Sequence, residues 1–143
     1  MKYLLDTSFC IDFIRGQGWA RAALAKVNAQ DVAVSAITVG ELLLGVHFRP
    51  RHKRKMDKEQ IQDFLRPLRV LDFDSTVADH WALIQATLQK GGNLIGTEDA
   101  MIAATARAHG AVVVTENLKH FERVKDLKVV NWATKPPKGI SAR

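Results

Sequence analysis

The stretch 96–121, GTEDAMIAATARAHGAVVVTENLKHF, constrains the fold more than any other part of the chain. Its first half predicts a helix with Thr97 as the N-cap and Asp99 in the first turn, and a left-handed stop at Gly110. The AVVV run that follows is apolar and β-branched without alternation, which indicates a strand covered on both faces of a parallel sheet. Asn117 comes at the carboxyl end of that strand. Because ligands of open α/β sheets bind at this edge, the stretch directs a carboxylate and an amide toward one place.

The rest of the chain alternates between strand and helix patterns. Strands are predicted at 2–5, 32–34, 70–73 and 127–131, and helices at 9–14, 19–29, 36–48, 58–65 and 75–90, with a short helix or turn at 118–124. Such alternation predicts a doubly wound α/β sandwich, in which helices cover both faces of a small, mostly parallel central sheet. We expect one domain over residues 1–133 and a flexible basic tail over 134–143, since the tail holds two prolines and a glycine.

Composition limits the classes of protein to consider. The chain has 143 residues, of which 47% are hydrophobic and 25% charged, as expected of one globular domain. No apolar run approaches the length of a membrane span, and the N-terminus reaches an acidic residue too early for a signal peptide. We therefore expect a cytoplasmic protein without a membrane partner. The single cysteine, Cys10, excludes an internal disulfide, and its apolar neighbours favour a small buried thiol over a reactive one.

The surplus of basic residues favours a polyanionic partner. Lys and Arg number 21 against 15 Asp and Glu, a net charge of +6. The densest run is RPRHKRK at 49–55, where cations at the start of a helix oppose its dipole, so local stability does not explain them. Contact with phosphates explains them, and a solvated surface loop is the alternative. The candidate RNA-binding residues of this run are Arg49, Arg51, Lys53 and Arg54.

Three acids occupy positions that a parallel sheet can bring together. Asp6 ends the first predicted strand, where helix capping and metal binding are both open to it. Glu41 lies within an apolar helix, and a buried carboxylate needs a metal or a basic partner. Together with Asp99 they form a group whose mutual repulsion a hard cation would relieve, and Asn117 adds a fourth oxygen donor. Mg²⁺ and Mn²⁺ prefer such oxygen ligands and activate water for attack on a phosphodiester.

Four separate blocks of the chain resemble the PIN-domain ribonucleases, and in particular the VapC toxins of bacterial toxin–antitoxin modules. The blocks are LLDTSFCIDFI, AITVGELLLGV, IGTEDAMIAATARAHGAVVVTENLKHFERV and LKVVNW, in the family's order and over nearly the whole chain up to Trp132. The resemblance implies a PIN-like α/β/α sandwich and cleavage of RNA that depends on Mg²⁺ or Mn²⁺ and inhibits translation or growth. It also implies a VapB-like antitoxin, pairing into a homodimer, and a toxin–antitoxin hetero-oligomer.

The resemblance also implies roles for single residues. Asp6, Glu41 and Asp99 fall on the family's metal-coordinating catalytic acids. Asn117 falls on a fourth catalytic position, which is Asp or Asn among relatives. The neighbouring polar positions, which we take as further candidate RNA contacts, are Thr7 and Thr115.

The chain departs from the family's pattern at two places. Thr97-Glu98 stands where many relatives have a proline and another residue before the third acid, and we expect no effect from this change. His120 replaces a common Asp before Phe121. This second departure removes one acidic residue from the rim of the predicted site and bears on the preference for metal or substrate.

Two other functions fit parts of the pattern. A phosphotransfer domain of the receiver or haloacid-dehalogenase type would also place an Asp after the first strand beside Mg²⁺. The dehalogenase type needs a second Asp two residues later, where Ser8 stands, and the acidic pair and late Lys of the receiver type are not evident. A non-catalytic RNA-binding module would explain the basic charge but leave the three acids without a role.

Overall fold

A five-stranded parallel sheet forms the centre of the computed structural model, which describes residues 2–139. The strands are β1 (Tyr3–Leu5), β2 (Val32–Ser35), β3 (Arg69–Leu71), β4 (Val112–Val114) and β5 (Val129–Val130). Their order across the sheet is β3-β2-β1-β4-β5. The chain therefore adds β2 and β3 on one side of β1 and then returns to add β4 and β5 on the other side of β1. Every neighbouring pair is parallel, which confirms the predicted doubly wound sheet.

Within residues 2–139, seven α-helices cover the two faces of this sheet. They are α1 (Thr7–Ile14), α2 (Gly18–Ala25), α3 (Ala36–His47), α4 (Arg54–Leu65), α5 (Ser75–Lys90), α6 (Thr97–His109) and α7 (Leu118–Phe121). One core lies between the sheet and helices α5, α6 and α7, and the other between the sheet and α1 to α4. Because successive strand residues point to opposite faces, Leu4 belongs to the first core and Leu5 to the second.

Helix α6 confirms the predicted stop and corrects the predicted start. Gly110 adopts the left-handed conformation, with φ of 65°, as predicted. The N-cap is Gly96 and not Thr97, so the predicted cap is wrong. The Gly96 carbonyl accepts the N–H of Ala100 at 2.9 Å, which closes the first turn and makes Thr97 the first helical residue.

Other boundaries also differ from the predictions. Helix α2 ends at Ala25, and Val27 beyond it packs against the second core. Helix α4 starts at Arg54, inside the basic run, where the Arg54 guanidinium donates to two carbonyls at the end of α3. Strands β3 and β5 are shorter than predicted.

The register of the strands sets the position of the site. Leu5 pairs with Val34 on one side and Val114 on the other, so Asp6 lies level with Ser35 and Thr115 at the carboxyl edge. This edge between β1 and β4 is the point at which the strand order reverses, and ligands of open α/β sheets bind at such a point.

The C-terminal end of the described chain folds back onto the second core. Trp132 is buried and packs edge-on against Tyr3 and Phe9. Residues 134–139 contain no helix or strand, and 140–143 of the predicted tail lie outside the described residues. The division at 133 therefore stays a prediction. In the described range, no helix has the length and apolar character needed to span a membrane.

Candidate active site

Asp6, at the carboxyl end of β1, is both a helix cap and a buried acid. Its Oδ1 accepts the backbone N–H of Phe9 at 2.9 Å, which caps α1, and the Ser8 hydroxyl donates to both carboxylate oxygens. Only 3% of the residue is exposed. Burial raises the pKa of Asp6 above its ordinary value. Hydrogen bonds from neighbours, Thr115 among them, oppose this shift, and the charge of Asp99 adds to it.

Asp99 brings a second carboxylate to Asp6 from the start of α6. It is the third residue of that helix, where the positive end of the helix dipole favours an anion. The charge of Asp99 adds to the rise in the pKa of Asp6, so these two predicted ligands act on one another electrostatically at the sheet edge. A hard cation relieves such repulsion, and Mg²⁺ in proteins is often held by one or two carboxylates together with water. The donor chemistry of the pair fits such an ion.

Glu41 is linked to this pair through Thr7, the residue that follows Asp6. Its Oε1 accepts a hydrogen bond of 2.6 Å from the Thr7 hydroxyl, and the Thr7 and Thr38 hydroxyl oxygens are 3.1 Å apart. Thr7 follows Asp6 directly, so the hydrogen bond fixes Glu41 beside the acidic pair. Among residues 2–139, no three His, Cys, Asp or Glu side chains are close enough to hold one ion together. The structure thus places Asp6 and Asp99 within electrostatic reach of one another, while Glu41 is hydrogen-bonded to Thr7.

Asn117 and His120 form a polar link on Asp99. Asn117 Nδ2 is 2.7 Å from His120 Nδ1, and the same ring nitrogen is 3.5 Å from Asp99 Oδ2. The backbone N–H of Asn117 donates to the Thr115 hydroxyl at 2.8 Å, and Thr115 is buried beside Asp6. Asn117, predicted as a fourth oxygen donor, is therefore connected with both acids through its neighbours.

A second acidic pair, which no sequence motif marks, borders the site. Glu116 follows Thr115 at the end of β4, and its carboxyl group interacts electrostatically with Asp12 of α1. Desolvation, the Asp12 carboxyl group and the charge of Asp6 all raise the pKa of Glu116. Neither residue carries a local signal, because the pair forms only through the adjacency of β1 and β4.

The predicted RNA-binding residues fall into two places. Thr7 and Thr115 are hydrogen-bonded within the acidic site. The other four, which are Arg49, Arg51, Lys53 and Arg54, lie together at the turn between α3 and α4.

A family model described as PIN domain matches residues 3–127, a range that includes every residue of this acidic edge. The chain belongs to the PIN-domain family. Among PIN-domain proteins it is similar to Ribonuclease VapC2 of Haemophilus influenzae, with 39% identity over 132 residues, or 92% of this chain and 98% of that protein. It is also 32% identical to the tRNA(fMet)-specific endonuclease VapC of Shigella flexneri, over 93% of this chain and 99% of the relative.

The fold of this PIN domain also matches solved VapC-type structures. A chain in the crystal structure of DNA-bound VapBC from Salmonella typhimurium superposes with a TM-score of 0.86 and 33% identity, over 92% of this chain and 98% of that one. The resemblance to VapC proteins and the predicted PIN-like α/β/α sandwich are therefore confirmed.

Proposed function

We propose that this VapC-type PIN domain is a Mg²⁺- or Mn²⁺-dependent endoribonuclease and the toxin of a VapBC-like toxin–antitoxin module. It cleaves cellular RNA in the cytoplasm and so inhibits translation or growth. The Asp6–Asp99 pair supports this most strongly, because it places a buried carboxylate of raised pKa beside a second acid where the strand order reverses. RNA as the substrate is supported by the names of the relatives, Ribonuclease VapC2 and tRNA(fMet)-specific endonuclease VapC.

Each residue of the site has a part in this proposal. Asp6 and Asp99 hold the divalent ion, and Glu41, fixed by Thr7, adds a third negative group beside them. When bound, the ion supplies stabilisation of the charge that develops on the scissile phosphate and eases the ionisation of water. Asn117 lies beside His120, whose ring is next to the Asp99 carboxylate, and its side-chain oxygen adds a polar group to the site. The basic surplus of the chain attracts the RNA backbone.

The proposed partner is a VapB-like antitoxin, and a cavity beside Glu41 supports it. The cavity, of about 350 Å³, lies between α1, α3 and α4, and its apolar wall includes Leu42, Val46 and Ile61. An apolar antitoxin helix fits such a cavity, and an antitoxin Arg would find the Glu41 carboxylate in its lining. Similar chains have been solved in VapBC complexes, from Rickettsia felis and Salmonella typhimurium. A homodimer within the hetero-oligomer stays a prediction.

The test of the activity is RNA cleavage by the purified chain with and without metal. We expect cleavage with Mg²⁺ or Mn²⁺, none in excess EDTA, and a loss of at least about 100-fold in Asp6→Asn or Asp99→Asn, since each removes a charge of the metal site. Asp79→Asn is the matched control, because Asp79 is an exposed acid of α5. Full cleavage in EDTA would exclude the metal-dependent mechanism, and binding of RNA without cleavage would favour a non-catalytic RNA-binding module.

A further inference from the structure

The basic run between α3 and α4 contains two side chains that hold the turn together. Arg49 Nε forms a salt bridge of 2.9 Å with Asp57 Oδ2 in the first turn of α4. Arg54 donates from Nε to the carbonyl of Arg49 and from a terminal nitrogen to the carbonyl of His47, both at 3.0 Å. These two charges are therefore used in joining the end of α3 to the start of α4.

Three further cations of the run have no such use. Arg51, Lys53 and Lys55 are exposed, and none of them forms a salt bridge in the part of the chain that the structure describes. Like charges this close along the chain repel one another and destabilise the turn. Fold stability does not account for them, whereas a polyanion placed across the turn would relieve their repulsion.

Phe48 stands at the head of these three cations. It is the C-cap residue of α3, and 80% of it is exposed, the largest value for a big apolar side chain among residues 2–139. An exposed aromatic ring next to a run of cations has the composition of a nucleic-acid stacking platform, in which a base covers the ring and the flanking phosphates contact the charges. The ring is seven residues beyond Glu41 on the same helix, about 10 Å along its axis.

We propose that Phe48, Arg51, Lys53 and Lys55 form an RNA subsite, in which an unpaired base stacks on Phe48 and its neighbouring phosphates contact the three cations. The subsite rests on the proposed ribonuclease function and specifies its substrate class, which is RNA with unpaired nucleotides. A base within a duplex has both faces covered and cannot use the ring. Arg49 and Arg54, although part of the same run, hold the turn and do not hold RNA.

Charge favours RNA over a second copy of the chain as the occupant of this subsite. In a twofold contact through this turn, each cation would face the same cations of the other copy, and no acid on the turn is free to compensate, since Asp57 is paired with Arg49. The contact would therefore be repulsive. An antitoxin segment is the other protein occupant to be tested.

The test uses a fluorescently labelled RNA hairpin with an unpaired loop and a fully paired duplex of the same stem. Binding is measured by anisotropy with the Asp99→Asn chain, which leaves the RNA intact. Phe48→Ala should weaken hairpin binding roughly five- to a hundredfold and duplex binding by less than about twofold, while Phe48→Trp should keep hairpin binding. Changing Arg51, Lys53 and Lys55 together to Ala should flatten the dependence of log K on log salt for the hairpin by about two.

Leu44→Ala is the matched control, because Leu44 is an exposed apolar residue of the same helix, 56% exposed. It should leave hairpin binding unchanged. Equal loss of hairpin and duplex binding in Phe48→Ala, or no loss, would refute the stacking subsite, as would loss of antitoxin binding alone. Cleavage by the unsubstituted chain is measured on the same hairpin. Absence of metal-dependent cleavage would refute the proposed function, whereas cleavage with unaltered binding by Phe48→Ala would refute the subsite alone.

Discussion

Asp6 combines two roles that the sequence left open as alternatives. It caps α1 through the Phe9 amide, and it is also a buried acid whose pKa the charge of Asp99 helps to raise. The cap hydrogen bonds do not fully offset the loss of hydration, so the pKa of Asp6 is higher in the folded protein than its ordinary value. The residue thus carries a stability cost at neutral pH that binding of a cation would offset.

This cost predicts a pH-dependent effect of Asp6→Asn in EDTA. At pH values well below 3.8, the ordinary pKa of Asp6, the acid is protonated in both the folded and the unfolded chain, so its burial carries no charge penalty. As the pH rises above that value, the unfolded chain ionises first, so the stability of the unsubstituted protein falls until the folded pKa is passed. The free energy of unfolding of Asp6→Asn relative to the unsubstituted protein should therefore increase from acid to neutral pH. Urea titrations at several pH values measure it.

The exposed-acid variant Asp79→Asn provides the control for this prediction. Its stability difference from the unsubstituted protein should stay nearly constant over the same pH range, since Asp79 is exposed. A difference for Asp6→Asn that is flat, or that shifts in favour of the unsubstituted protein as the pH rises, would contradict the assignment of Asp6 as a destabilised buried acid.

The acids could be predicted from sequence because each carries a local signal. Asp6 follows a strand, Glu41 interrupts an apolar helix, and Asp99 opens a helix. Their supporting partners could not, because contacts such as Thr38 with Thr7 and Glu116 with Asp12 join residues from elements distant along the chain. Hydroxyl and carboxyl side chains are common enough that no spacing marks them in advance.

At the scale of elements, the turn between α3 and α4 shows why boundaries were harder to predict than elements. The helical pattern of the sequence began only at Lys58, and local stability did not explain the cations that precede it, because basic residues at a helix start oppose the dipole. In the structure Asp57 lies in the first turn and pairs with Arg49, while Arg54 satisfies carbonyls at the end of α3. These tertiary contacts move the start of α4 four residues toward the N-terminus, from 58 to 54.

Arg54→Ala should therefore act on the fold, in contrast to Arg51→Ala. Loss of the two hydrogen bonds to His47 and Arg49 is expected to cost about 1 kcal/mol of unfolding free energy. Arg51→Ala should stay within about 0.5 kcal/mol of the unsubstituted protein, because its side chain is exposed. Urea midpoints measure both. Equal midpoints for the two variants would show that Arg54 does not hold the turn.

At the scale of the whole molecule, the site depends on the return of the chain to β1. Alternating strands and helices predicted a parallel sheet, but not that β4 would pair with β1 after β2 and β3 had formed the other side. That return places Thr115 and Glu116 near Asp6 and sets α6 so that the charge of Asp99 acts on Asp6. Strand order follows from the packing of all the helices, which periodicity in one segment does not encode.

The last prediction concerns the neutralising partner. Glu41 lies on the wall of the apolar cavity between α1, α3 and α4, so an antitoxin helix in that cavity would bring its own cation to this carboxylate. A small protein encoded next to this chain should bind it and suppress RNA cleavage, and Glu41→Gln should weaken the complex at least about tenfold, because it removes one charge of a buried pair.

Glu59→Gln is the matched control and should bind normally, because Glu59 is an exposed acid of α4 outside the cavity lining. Calorimetry measures the affinities, and growth of cells that express the chain alone or with its neighbour measures the toxicity. A chain that cleaves RNA yet leaves growth unaffected when expressed alone would refute the toxin role while the nuclease assignment stands, and equal affinities for the two Gln variants would place the antitoxin elsewhere.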